Sequence, residues 1–102
     1  MPEFDKLVVG LGNPGADYEH TAHNLGFLVL DRLGERNGIQ VKRKDSRALV
    51  GQGKIAGRPV LLAKPQTFMN VSGESVKGLL VKHEIPAGEL IVVYDELDLP
   101  WR

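Results

Sequence analysis

Apolar positions along the chain fall into short runs and spaced stripes separated by glycine, proline and polar clusters. Residues 6–11 (KLVVGL) form an apolar run ending at glycine, the pattern of a buried strand. Gly12-Asn13-Pro14-Gly15 then forces a turn, because glycine admits positive φ and proline fixes its own. From Asn24 to about Asn37 the apolar positions Leu25, Leu28, Val29 and Leu33 recur at helical spacing, with Asn24 as N-cap and Gly38 as the stop. Residues 42–46 are polar and read as a loop or a strand edge. Residues 48–55 and 59–64 are strand-like and flank Ala56-Gly57-Arg58, a hairpin signal. A second helix is expected to begin near Asn70 or Ser72, to carry its stripe on Val76, Leu79 and Leu80, and to stop before Pro86. Residues 90–94 (LIVVY) are the most strand-like run of the chain.

The predicted order is β, α, β, β, α, β. It implies the α/β class: a single domain with a mixed, twisted β-sheet flanked by helices, parallel at the crossovers and antiparallel at the hairpin. Right-handed crossovers would bring the loops after the first and last strands to one edge of the sheet. Ligands in open α/β sheets bind beyond the carboxyl ends of strands, so those loops are where chemistry is expected. No internal repeat, low-complexity segment or linker interrupts the pattern.

Composition adds mainly exclusions. The 102 residues suffice for one core, and 42% hydrophobic with 25% charged residues is ordinary for a globular domain. No apolar run is long enough for a membrane span, and MPEFDK lacks the layout of a secretion signal, so a cytoplasmic location without a membrane partner is expected. Lack of cysteine removes disulfides and thiolate metal sites. A formal net charge of zero leaves any RNA binding to local clusters of Lys and Arg.

Gly10-Leu11-Gly12-Asn13-Pro14-Gly15 matches G-x-G-x-x-G after a strand and so raises a dinucleotide site. The fingerprint should run straight into a helix, whereas Pro14-Gly15 breaks the chain. Asp31, the acidic residue at suitable separation, falls inside a helical pattern instead of at a strand end. Glycines serving a tight loop are the better reading.

Polar residues concentrate in three places: 13–24, 66–72 and 95–98. Together these hold a histidine, side-chain amides and paired carboxylates. A carboxylate that accepts the Nδ1 proton of histidine fixes its tautomer and leaves Nε2 to deprotonate water. Amides hold a water or a carbonyl without adding charge. No cysteine is present and no serine sits in a G-x-S-x-G elbow, so water activated by histidine is the simpler nucleophile. No metal-ligand spacing is evident, and neither a metal nor an organic cofactor is expected. Each residue also has an ordinary reading. His20, His23 and His83 fit solvated surface positions, and His83, at a helix end, fits a cation favoured by the helix dipole. Asp95 and Asp98 fit turn formers, Asn13 a turn residue, Asn70 an N-cap, and Phe68-Met69 core. Spacing does not choose among these.

Three signatures, in order along the whole chain, carry a resemblance. Val9-Gly10-Leu11-Gly12-Asn13-Pro14-Gly15 followed by Tyr18-x-x-Thr21-x-His23-Asn24-x-Gly26 resembles the opening signature of bacterial-type peptidyl-tRNA hydrolases. Lys64-Pro65-x-Thr67-Phe68-Met69-Asn70-x-Ser72-Gly73 resembles the second, and Asp95-Glu96-Leu97-Asp98-Leu99-Pro100 the third. The resemblance implies a carboxylic ester hydrolase acting on peptidyl-tRNA. It implies His23 as base, Asp95 as its orienting carboxylate, Asn70 as holder of the attacking water and Asn13 as a substrate-placing group. Met69 would line the peptide side, with Tyr18 and Phe68 in the same cleft. Ala22 stands where the family usually has arginine, removing a positive charge beside His23. Family members are usually monomeric and run to nearly twice this length. Residues 1–102 are therefore expected to be the N-terminal portion of the domain, lacking much of the basic surface that grips tRNA, and to self-associate through an uncovered edge.

Overall fold

The computed structural model describes residues 3–12, 25–66 and 72–94. Within these, the chain runs β1 (Lys6–Gly10), α1 (Leu25–Asn37), β2 (Arg43–Asp45), β3 (Ala48–Ile55), β4 (Arg58–Pro65), α2 (Ser72–Lys82), a 3-10 turn (Ala87–Glu89) and β5 (Leu90–Val93). The strands form one sheet in the order β2-β3-β4-β1-β5. β1 lies parallel to both β4 and β5, while β2, β3 and β4 form an antiparallel meander. The mixed sheet expected from the pattern is thus present, and the polar stretch 42–46 supplies a short edge strand.

β1 and β4 are central and covered on both faces, which is why they read as continuous apolar runs. Their side chains alternate. Leu7, Val9, Leu61 and Ala63 meet Leu79 of α2, while Val8, Val60 and Leu62 meet Leu30 of α1. The helices therefore cover opposite faces. Ala56 and Gly57, both at positive φ (54° and 81°), make the two-residue β3–β4 turn whose backbone matches strand twist. Gly38 (φ 68°) ends α1, with the Ile39 N–H bonding the Gly34 carbonyl at 2.8 Å, a Schellman-type stop.

The stripe assigned to α1 needs correction. Leu25 and Leu28 are each 46% exposed and Val29 is 37% exposed. The buried face is Gly26, Leu30 and Gly34, with Leu33 half-buried at its flank. The two glycines let the helix approach so closely that one leucine fills the contact. In α2 the expected stripe holds: Leu79 is buried, and Val76 and Leu80 pack beside it. Buried Ser72 and Ser75 share that helix and were not foreseen.

Candidate active site

Because β4, β1 and β5 are parallel neighbours, Pro65, Gly10 and Val93 all end at one edge of the sheet. The Leu11 N–H donates to the Val93 carbonyl at 2.9 Å, carrying the β1–β5 pairing past the strand end. α1 returns to the same place. A Cβ on Gly26 would lie 2.3 Å from the Leu11 carbonyl oxygen and 2.6 Å from that of Val93, so only glycine fits. α2 begins there too, since Ser72, Gly73 and Val76 line an open groove of about 410 Å3 together with Leu11 and Val92. Both helices therefore present their N-terminal ends, which carry the partial positive charge of the helix dipole, to this edge.

The sequence-predicted site residues Asn13, Tyr18, His23, Phe68, Met69, Asn70 and Asp95 lie outside the described residues, as do His20, Asn24 and Asp98. What the structure fixes is where their strands and helices begin and end. Each of the three polar stretches picked out in the sequence leaves from, or returns to, the edge just described.

Two other candidates are accounted for elsewhere. Asp31 projects from α1 and its Oδ1 accepts from Lys64 Nζ at 2.6 Å, so it is a helix-to-sheet ion pair and not a ribose-binding carboxylate at a strand end. The Lys64 ammonium also sits 5.8 Å from the centre of the Phe27 ring. His83 corrects the reading of a solvated cation at a helix end. Its side chain is 11% exposed, its Nε2 lies 3.0 Å from Asp45 Oδ2, and its ring packs edge-on against Phe4.

The carboxyl of Asp45 is held below its ordinary pKa. Burial opposes its charge, but hydrogen bonds from Lys82, His83 and Ser46, with the Lys82 charge, outweigh burial and hold the carboxyl below its ordinary value. Among the described residues no group of three or more His, Cys, Asp or Glu could hold a metal ion. Nor, among them, is any helix long and apolar enough to cross a membrane.

Sequence reasoning missed the β2–β3 turn at Ser46 and Arg47. The Ser46 carbonyl accepts from Ser75 Oγ at 2.6 Å and the Arg47 carbonyl from the Gln66 N–H at 2.8 Å. Both acceptors are backbone atoms in a polar stretch without glycine, so no residue type announced them.

Parallel strands with helix N-termini gathered at one carboxyl edge place the molecule among α/β domains that work from that edge. The chain belongs to the peptidyl-tRNA hydrolase family, whose model matches residues 7–101. It is 63% identical over 95 residues to a peptidyl-tRNA hydrolase of Solibacter usitatus, covering 93% of this chain and 48% of that protein. Against the Brevibacillus brevis peptidyl-tRNA hydrolase the identity is 52% over 95 residues, covering 93% and 50%. The crystal structure of peptidyl-tRNA hydrolase from Acinetobacter baumannii superposes with a TM-score of 0.87 at 39% identity, over 92% of this chain and 48% of that one. The chain spans about half the length of the curated relatives it matches.

Proposed function

We propose that this chain carries the catalytic edge of an esterase that hydrolyses the bond between a peptide and the terminal ribose of tRNA. His23 takes a proton from water through Nε2, and Asp95 orients the ring and stabilises the imidazolium that forms. Asn70 holds the attacking water, and Asn13 places the substrate. Met69 lines the peptide side, with Tyr18 and Phe68 in the same cleft. Amides suit this task because they contact peptide groups common to every sequence, and an enzyme recycling tRNA must accept any peptide. No metal or organic cofactor enters this scheme. A peptidyl-tRNA substrate calls for work where translation occurs, and the cytoplasm is the location proposed.

One observation carries the reading. Each of the four central residues stands two positions from a described anchor: Asn13 from Leu11, His23 from Leu25, Asn70 from Ser72, and Asp95 from Val93. Two peptide units span at most about 7 Å. The anchors converge on one edge, through the Leu11–Val93 hydrogen bond, the approach of Gly26 to both, and the groove that Ser72 shares with Leu11.

A second reading concerns residues 1–102 taken alone, which span about half the length of the relatives they match. In it the chain keeps the cleft but does not turn over substrate. Release of peptide from peptidyl-tRNA, measured for the wild type and His23→Ala, separates the two. The enzyme reading requires faster release by the wild type; equal, background-level release by both proteins overturns it.

A further inference from the structure

The formal net charge is zero, but the charges are not evenly spread. Lys42, Arg43 and Lys44 follow one another along β2 and its approach, at the sheet edge opposite β5. All three are exposed, and none has an ion pair or a side-chain hydrogen bond among the described residues. The next residue, Asp45, supplies a carboxylate but turns it inward. Its side chain is 6% exposed and is held by Lys82 at 2.9 Å and His83 at 3.0 Å. The charge that residues 42–45 show to solvent is therefore positive, and Lys82 adds a further cation on the α2 side.

The backbone that carries these cations is fixed in place. Ile39 and Val41 are buried in the α1-side core, and a Cβ on Gly51 would lie 2.3 Å from the Gln40 carbonyl oxygen. The segment leading into β2 thus lies directly on β3. In the pairing that follows, Arg43 stands opposite Val50 and Lys44 opposite Leu49. Val50 belongs to the α2-side core and Leu49 packs on the α1-side core, so Arg43 and Lys44 point to opposite sides of the sheet. Asp45 pairs with Ala48 and Ala48 with Pro65, which puts the upper end of β2 level with the carboxyl edge. β2 lies three strands from β1, about 14 Å at about 4.8 Å per strand, less than the width of a nucleic-acid double helix.

Charge on an edge strand also discourages pairing with another sheet. That role is indifferent to sign, whereas the exposed charge here is of one sign and has no partner. Cations on both sides of a narrow edge suit a rod-shaped polyanion better than the flat surface of a membrane. We propose that Lys42, Arg43 and Lys44 are a contact for the phosphate backbone of RNA, gripping tRNA away from the end whose ester is cleaved. Naming tRNA as the polyanion rests on the esterase reading above. The contact takes no part in the chemistry and reads no sequence, because phosphate contacts position a nucleic acid without specifying its bases.

The test measures binding of deacylated tRNA to the full chain across about 50–200 mM salt, so that no turnover is needed. Arg43→Gln and Lys44→Gln should each weaken binding on the order of fivefold at about 0.1 M salt. Each should also lower the slope of log affinity against log salt by about 0.7 to 1. The triple variant Lys42→Gln, Arg43→Gln, Lys44→Gln should lose about a hundredfold. Lys54→Gln is the control: it removes the same charge from an exposed position on β3, next to the β3–β4 turn, and should leave the slope unchanged. Unchanged slopes in the β2 variants, or an equal change in Lys54→Gln, overturn the proposal.

Lys44→Glu separates RNA binding from edge protection, since it keeps the edge charged and reverses the sign. It should bind tRNA more weakly than Lys44→Gln; binding at the wild-type level overturns the proposal. Urea midpoints should stay at the wild-type value, as expected of exposed side chains, and a loss of affinity that tracks a fallen midpoint overturns it. Binding to phosphatidylserine vesicles that depends on these residues, without binding to tRNA, also overturns it. A wild type that binds tRNA through this strip yet releases no peptide leaves the contact standing and counts only against the esterase reading. A wild type that cleaves peptidyl-tRNA while the β2 variants bind unchanged does the reverse.

Discussion

Gly10 and Gly26 meet backbone to backbone: a Cβ on Gly10 would stand 2.2 Å from the Gly26 carbonyl oxygen. The contact joins the end of β1 to the first turn of α1 and sets how close the helix N-terminus comes to the edge where the site is proposed. The G-x-G pattern that suggests a phosphate loop in the sequence here serves, at its first glycine, helix–strand packing.

Gly26→Ala is expected to destabilise the fold by about 3 kcal/mol, since the added methyl meets carbonyl oxygens and backbone rather than a side chain that can swing away. Urea unfolding measures it. A cost below about 1 kcal/mol, in the range of an ordinary surface change, would show that α1 does not depend on this approach.

The corrected face of α1 makes a paired prediction. Leu30 is fully buried and Leu28 is 46% exposed. Leu30→Ala should cost about 2–5 kcal/mol and Leu28→Ala no more than about 0.5 kcal/mol. Equal losses would restore the stripe that spacing alone suggested.

That stripe shows where sequence stops being legible. The strands β1, β3, β4 and β5, the β3–β4 hairpin and the helix limits followed from apolar runs and from glycine and proline positions, which are local signals; the polar strand β2 did not. The face of α1 did not, because periodicity counts apolar side chains, while this helix packs through Gly26 and Gly34, residues without any. The Asp45–His83 pair was hidden for a different reason: 38 residues separate the partners, and nothing local marks a histidine as buried. The site residues were legible through three ordered signatures, not through spacing, which left His23 one of three candidates. The β2–β3 turn acts through backbone carbonyls, and side-chain identity does not report those.

Acid should weaken the Asp45 cluster. A carboxyl held below its ordinary value of about 3.9 contributes stability above that value and loses it as pH falls through the lowered one. Asp45→Asn should therefore be less stable than the wild type at about pH 5, and the gap should narrow below about pH 4. Urea titrations across that interval test it; a gap still undiminished at about pH 2 would mean the charge of Asp45 contributes nothing.

The two sheet edges differ in chemistry. β2 carries Arg43 and Lys44, which discourage pairing, while β5 is Leu90-Ile91-Val92-Val93 with Ile91 46% exposed. Among the described residues β5 pairs with β1 alone. For residues 1–102 studied alone, concentration-dependent association through β5 is expected in sedimentation velocity, and Ile91→Lys should reduce it. A compact monomer over a wide concentration range, or association indifferent to Ile91→Lys, would exclude this edge as the contact.

The central claim is that His23 and Asp95 act as one unit at the edge where β1, β5 and α1 converge. A double-mutant cycle on peptidyl-tRNA cleavage tests it most directly. His23→Ala and Asp95→Asn should each lower kcat by about 100-fold or more, with tRNA binding little changed. If Asp95 acts only through the imidazole, the double variant should be no slower than His23→Ala alone, within about threefold. Losses that multiply in the double variant would contradict the account, because they would mean that the two residues work independently.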